Sequence, residues 1–236
     1  MLLFLLSPSF RLIVAAVIPA LYLLIKVYRS DRIEKEPTSL LVSLVIYGFI
    51  STAIASVLER IGMFLLGASS LAEGSREYNF ILYFLIVAVA EEGSKYFLLR
   101  RRTWNSNDFN CQYDGLIYSV FVSLGFAALE NIKYVLYYGF SAAVSRAITA
   151  VPGHACFGVF MGVWYGIAKR NYNEGNYAES KICRILALAA PVFAHGLYDY
   201  SVSTKNSGIP FIFVIVVMFI AALVLVRRAS RKDRYI

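Results

Sequence analysis

The sequence predicts an all-α, polytopic membrane helix bundle of about seven transmembrane helices, and three observations predict it. Hydrophobic residues make up 59% of the 236, charged ones only 16%, and the mean hydropathy of +0.63 is outside the range of an ordinary soluble domain. Apolar runs fall at about 10–28, 39–58 with an extension toward 66, 80–99, 113–135, 143–168, 184–204 and 209–226. Each is near the ~20 residues that cross ~30 Å of hydrocarbon at 1.5 Å per residue. Basic clusters then alternate with the runs. Lys26, Arg29, Arg32 and Lys35 follow the first, Arg100, Arg101 and Arg102 the third, Lys169, Arg170, Lys181 and Arg184 the fifth, and Arg227, Arg228, Arg231, Lys232 and Arg234 the seventh. Connections 67–79, 137–142 and 204–208 carry at most one basic residue each. The asymmetry places the N-terminus outside and the C-terminus in the cytoplasm.

The first run is preceded by Met1–Leu6, which is apolar but has neither a basic region nor a small-residue cleavage site, so the first helix is expected to direct insertion. The third run contains Ala88-Val89-Ala90-Glu91-Glu92-Gly93-Ser94-Lys95, charges set at mid-depth in an apolar segment. At the start of the fourth, Asp114-Gly115 reads as a cap and turn, and its outer half holds Phe126, Glu130 and Asn131. Gly158, Gly162 and Gly166 recur every four residues in the fifth, a small-residue face for close helix contact. His154 lies one step earlier on that face, pointing into protein, and Pro152 just before it is expected to open or kink the run. In the sixth, Pro191 frees the Ala187 carbonyl one turn before His195, and Asp199 shares the histidine's face. Short connections with no linker and no long repeat imply one integral-membrane domain over 1–236.

The formal net charge of +8 is accounted for by the clusters at helix ends, so nucleic acid is not an expected partner; the lipid bilayer is. Cys111, Cys156 and Cys183 form no C-x-x-C pair, which points to neither a zinc ribbon nor a disulfide framework.

Ionisable groups at membrane depth mark function by default. Glu91 and Glu92 lie four and three residues before Lys95, so either can pair with it. A simple buried ion pair would leave the second acid unexplained. Neighbouring carboxylates in a low dielectric suit general acid/base work. With Glu130, Asn131, His154, His195 and Asp199 on other helices, three chemistries are open. Glutamate and histidine can activate water for peptide hydrolysis, with a histidine or Asn131 on the oxyanion. The same groups can hold zinc, although no H-E-x-x-H is present. They can also form a proton or ion path in a transporter, and a silent membrane scaffold would use them only structurally.

Several pieces together carry a resemblance: Asp31 with Glu36-Pro37, Glu91-Glu92-x-x-Lys95, Tyr113-Asp114-Gly115, Ser123-Leu-Gly-Phe126-Ala-x-Leu-Glu130-Asn131, His154 with Gly158 and Gly162, and His195-Gly-x-Tyr-Asp199. In joint order and spacing the chain resembles the PrsW family of intramembrane proteases, over nearly its whole length. That family is in turn similar to the CAAX- and bacteriocin-processing membrane proteases, from which this chain departs in having Lys95 one position before their arginine, Glu130 in place of a histidine and Asp199 in place of an asparagine. The resemblance implies a protease of the bacterial cell membrane that makes the first cut in a membrane-anchored anti-sigma factor during a stress response. It implies that the glutamate pair activates water, that His195 and His154 orient it or stabilise the oxyanion, and that Asp199 positions His195. No cofactor is committed, zinc being the alternative.

Overall fold

The computed structural model describes residues 8–203 and 208–236, so the expectations for Met1–Leu6 and for residues 204–207 lie outside it. The described residues form α1 (Pro8–Ser30), α2 (Thr38–Gly67), α3, α4 (Asp114–Tyr138), α5 (Phe140–Ile148), α6 (Ala150–Asn173), α7 (Tyr177–Ser203) and α8 (Gly208–Arg231). Helix α3 joins Arg76–Phe80, a π-helical Ile81–Val87 and Ala88–Thr103 without a break. Among the described residues, six helical stretches are long and apolar enough to span a membrane: α1, α2, α4, α5 with α6, α7 and α8. The remaining expected span is α3, whose mid-length charges set it apart in composition.

Helix α4 is the axis. In its most apolar stretch 83% of residues are buried, against 11% in α1 and in α8, which face outward. Around it pack α1, α2 and α6, and α7 closes on α6 and α3. The glycine face of α6 explains the α4 contact: a side chain at Gly162 would collide with the Leu116 backbone, so the two helices touch main chain to main chain.

Three local expectations are corrected. Gly115 is no turn residue; it lies inside α4, where a Cβ would strike the backbone of Gly166. The fifth run is two helices, entered at Gly139 (φ 79°) and broken at Thr149 (φ −120°, ψ −73°). Pro152 consequently falls in the first turn of α6, where a missing N–H leaves no helical bond unmade, and it does not kink a span. Pro191 does lie inside the continuous α7.

Where α1 and α2 meet the start of α4, the motif residues Asp31, Glu36 and Asp114 are buried together. The Tyr118 hydroxyl lies 2.6 Å from Glu36 Oε2 and 2.9 Å from the Asp108 carbonyl, with one proton to share between them, and Asp114 Oδ2 accepts from the Asn110 and Cys111 amides. The chain end folds back here, with Ile236 N donating to Asn110 O and Gln112 N to Arg234 O.

Candidate active site

Helix α3 supplies three charges in five residues, one turn beyond its π-helical segment, a placement often met at functional sites. The i, i+3 and i, i+4 spacing turns both acids toward the lysine, and both are paired with it. Lys95 Nζ donates to Glu92 Oε1 at 2.7 Å and to Glu91 Oε2 at 3.2 Å. A third contact, 3.2 Å, runs to His154 Nδ1. An ammonium has three protons and no lone pair, so the three contacts use all its donors and His154 Nδ1 must be the acceptor. Phe126 lies beneath it, its ring centroid 3.8 Å from Nζ. Lys95 and Glu92 are fully enclosed and Glu91 is 6% exposed, so the charges are compensated by each other rather than by an open chamber of water.

Because Nδ1 accepts, His154 carries its proton on Nε2, which lies 3.0 Å from Glu130 Oε2 on α4. Arg146 of α5 then clamps that acid: Nη2 donates to Glu130 Oε2 at 2.6 Å and Nε to Asn131 Oδ1 at 2.9 Å. Asn131 in turn donates to the Ala16 carbonyl on α1. Glu130, Asn131 and His154 are thereby joined to Lys95 in one chain of contacts. Arg146 is the residue the sequence reading missed. Its signal was a lone cation inside an otherwise apolar run.

His195 on α7 approaches from the other side. Its Nδ1 is 3.0 Å from Glu92 Oε1 and 3.9 Å from Glu91 Oε2, and its Nε2 is 3.3 Å from Asp199 Oδ2, one turn further along. The ring stacks on Phe157 at 4.6 Å and 18°. Gly196 makes this possible, because any side chain there would collide with Phe84 in the π-helical segment of α3. All the residues expected at the site, Glu91, Glu92, Glu130, Asn131, His154, His195 and Asp199, therefore come together, on four helices that touch only in the folded bundle.

The description "PrsW family intramembrane metalloprotease" fits residues 36–226 of the chain. The chain belongs to the PrsW family. A "Protease PrsW" of Geobacillus kaustophilus is 35% identical over 201 residues, 84% of this chain and 82% of its own length. Those of Oceanobacillus iheyensis and Bacillus subtilis are 33% and 30% identical, covering 92% and 85% of this chain and 94% and 86% of their own. No solved structure matches. The protein is thus a multi-pass bacterial membrane protease, and membership in the PrsW family selects peptide hydrolysis among the chemistries open to the cluster.

The family description raises a metal. Glu91, Glu92 and His154 offer donor atoms within 4.8 Å of one another, a plausible ligand set by composition. The place between them, however, is taken by the Lys95 ammonium, at hydrogen-bonding distances from all three. A zinc ion at ~2.0–2.2 Å from the same atoms would require that cation to leave. As arranged, these residues do not fit a metal.

Proposed function

We propose that Glu91 is the base that activates water for cleavage of a membrane-anchored protein, an anti-sigma factor by the family resemblance. The observation that carries this reading is the unequal engagement of the two acids. Glu92 Oε1 is held by both Lys95 and His195 and the residue is fully buried, which suits an anchor. Glu91 has the longer lysine contact and reaches the surface of the cluster. In the step, a water proton passes to Glu91 as the water oxygen bonds to the scissile carbonyl carbon. The C–N bond then breaks, and the proton moves from Glu91 to the leaving amine.

His195 serves the oxyanion. Glu92 holds the Nδ1 side, while Nε2 lies at the looser 3.3 Å contact with Asp199, whose side chain is 23% exposed, so the Nε2 side is the one available to a developing negative charge. Asp199 keeps the ring oriented. Glu130 and Arg146, 18% and 14% exposed, stand at the same rim and hold His154 and Lys95 in place. With the N-terminus outside, as the basic clusters indicate, this rim opens toward the outer leaflet, where a single-span substrate can enter unwound.

The test is cleavage of a single-span anti-sigma-factor-type protein in proteoliposomes. Glu91→Gln is expected to lower kcat by about 10²–10⁴ while the protein remains folded. Glu92→Gln is expected to lower both kcat and thermal stability. Wild-type cleavage by Glu91→Gln would overturn the assignment.

A further inference from the structure

Between α3 and α7, on their outward side, lies a groove of about 540 Å³. Val89, Leu188 and Val192 form its apolar length, and Arg100, Lys181 and Arg184 close one end. None of the residues lining it is acidic. It opens on the outer surface of the bundle, since Val89 is 45% exposed and the neighbouring Ile185 59%. The cationic end is organised rather than loose. The guanidinium carbons of Arg100 and Arg184 stand 5.9 and 5.5 Å from the Trp104 ring, and Arg184 Nε is buried without a hydrogen-bond partner.

Three cations with no acid among the residues lining the groove, at the end of an apolar trough, are complementary to an amphiphile with an anionic head. Basic pockets between membrane helices take such headgroups. Size argues against a helical polypeptide as the occupant: a helix ~10–12 Å across with a 5.4 Å pitch would fill the groove with about one turn. A single acyl chain fits its length.

We propose that the α3–α7 groove binds one anionic phospholipid, its phosphate among Arg100, Lys181 and Arg184 and one acyl chain along Val89, Leu188 and Val192. The lipid lies at the back of the α3–α7 seam, because Val89 and Val192 precede Glu92 and His195 by one helical turn. The inference is independent of which glutamate is the base.

Native mass spectrometry of the full chain in detergent, with phosphatidylglycerol and phosphatidylcholine in equal amounts, tests it. One retained phosphatidylglycerol is expected, with a preference on the order of 100-fold from three cations worth about fivefold each. Arg100→Gln/Lys181→Gln/Arg184→Gln is expected to bring the preference near parity, and Leu188→Trp to lose the lipid with the cations intact. Equal retention of the two lipids by the wild type would overturn the proposal even if no variant folds. So would phosphatidylglycerol retention unaffected by Leu188→Trp, or displaced fully by inorganic phosphate, since a headgroup site alone would explain either. As a second measurement, a photoreactive benzoylphenylalanine replacing Ile185, an exposed residue at the groove mouth, should acquire the mass of a phospholipid in membranes. Capture of polypeptide without lipid would assign the groove to the substrate instead.

Discussion

Glu91 and Glu92 on α3, and Asp31, Glu36 and Asp114 where α1, α2 and α4 meet, are all buried carboxylates, yet they are kept by different means. In the first group each acid faces a cation or an imidazole within 3.2 Å. In the second the partners are a tyrosine hydroxyl and backbone amides; Asp31 Oδ2 and Glu36 Oε1 receive no donor from the protein, as is also true of Glu92 Oε2 in the first, so it is the cationic partners that separate the two groups. Burial pushes the Glu36 carboxyl up to about 7, with the charges of Asp31 and Asp108 adding and the Tyr118 hydroxyl opposing. Asp31 is raised as well, again mainly by burial. The active-site pair is thus held by fixed cations, whereas the second cluster near the helix ends is relieved by protons. The difference teaches where each is vulnerable: one to loss of a side chain, the other to pH.

Removing the cation should have the largest effect. Lys95→Met leaves two enclosed carboxylates without their ammonium, and breaking a buried pair in this way costs about 3–5 kcal/mol. Thermal unfolding in detergent should show a large loss, partly restored by adding Glu92→Gln, and cleavage should be abolished in both. If Lys95→Met were as stable as wild type, the cation account of the first cluster would fail. The same account predicts that a strong chelator leaves wild-type cleavage unchanged. Loss of cleavage with chelator and its return with zinc would place a metal where Lys95 now stands.

A smaller effect is expected at the rim. His195→Gln and Asp199→Asn should lower kcat by about 10²-fold or more with KM little changed, because they act on the oxyanion and its orientation rather than on substrate binding. Arg146→Gln frees Glu130 from its 2.6 Å partner. As this pair is only partly buried, a loss of about 1–2 kcal/mol and a several-fold slower cleavage are expected, with Arg146→Lys recovering part of both.

Glu36→Gln sharpens the other side of the comparison. Below its ordinary value of 4.5 the Glu36 carboxyl is protonated in both states, and from there to about 7 the folded protein holds a proton that the unfolded chain has released. Stability contributed by this group therefore falls as pH rises through that window and levels off above it. Replacing the acid by its neutral analogue should remove that slope between pH 4.5 and about pH 7 and leave the protein more stable at the upper end, as read by thermal unfolding. An unchanged slope would show that another group carries it.

Much of this molecule is legible in sequence because a bilayer simplifies the code: apolar length gives the spans, and buried charge is rare enough to point at function. Glu91, Glu92, His195 and Asp199 stand out in that way, and the glycine face of α6 indicates a close neighbour without naming it. Arg146 escaped because its run has the length of a span, and only the breaks at Gly139 and Thr149 show that it lies on a separate short helix. Pro152 was misread for the same reason, since a proline's effect depends on its distance from a helix start that periodicity alone does not locate.

What the amino-acid sequence determined by itself is the set of membrane helices, the basic residues at their ends and the identity of the ionisable groups, all consequences of the cost of placing polar atoms in hydrocarbon. Only the tertiary structure decided the pairing: that Lys95 serves both glutamates and His154 at once, that His195 reaches Glu92, and that Arg146 holds Glu130. Those contacts join residues up to 103 positions apart in chain. Their geometry depends on how helices rotate and approach, which is fixed by packing at Gly162 and Gly196 and not by any local preference of the chain.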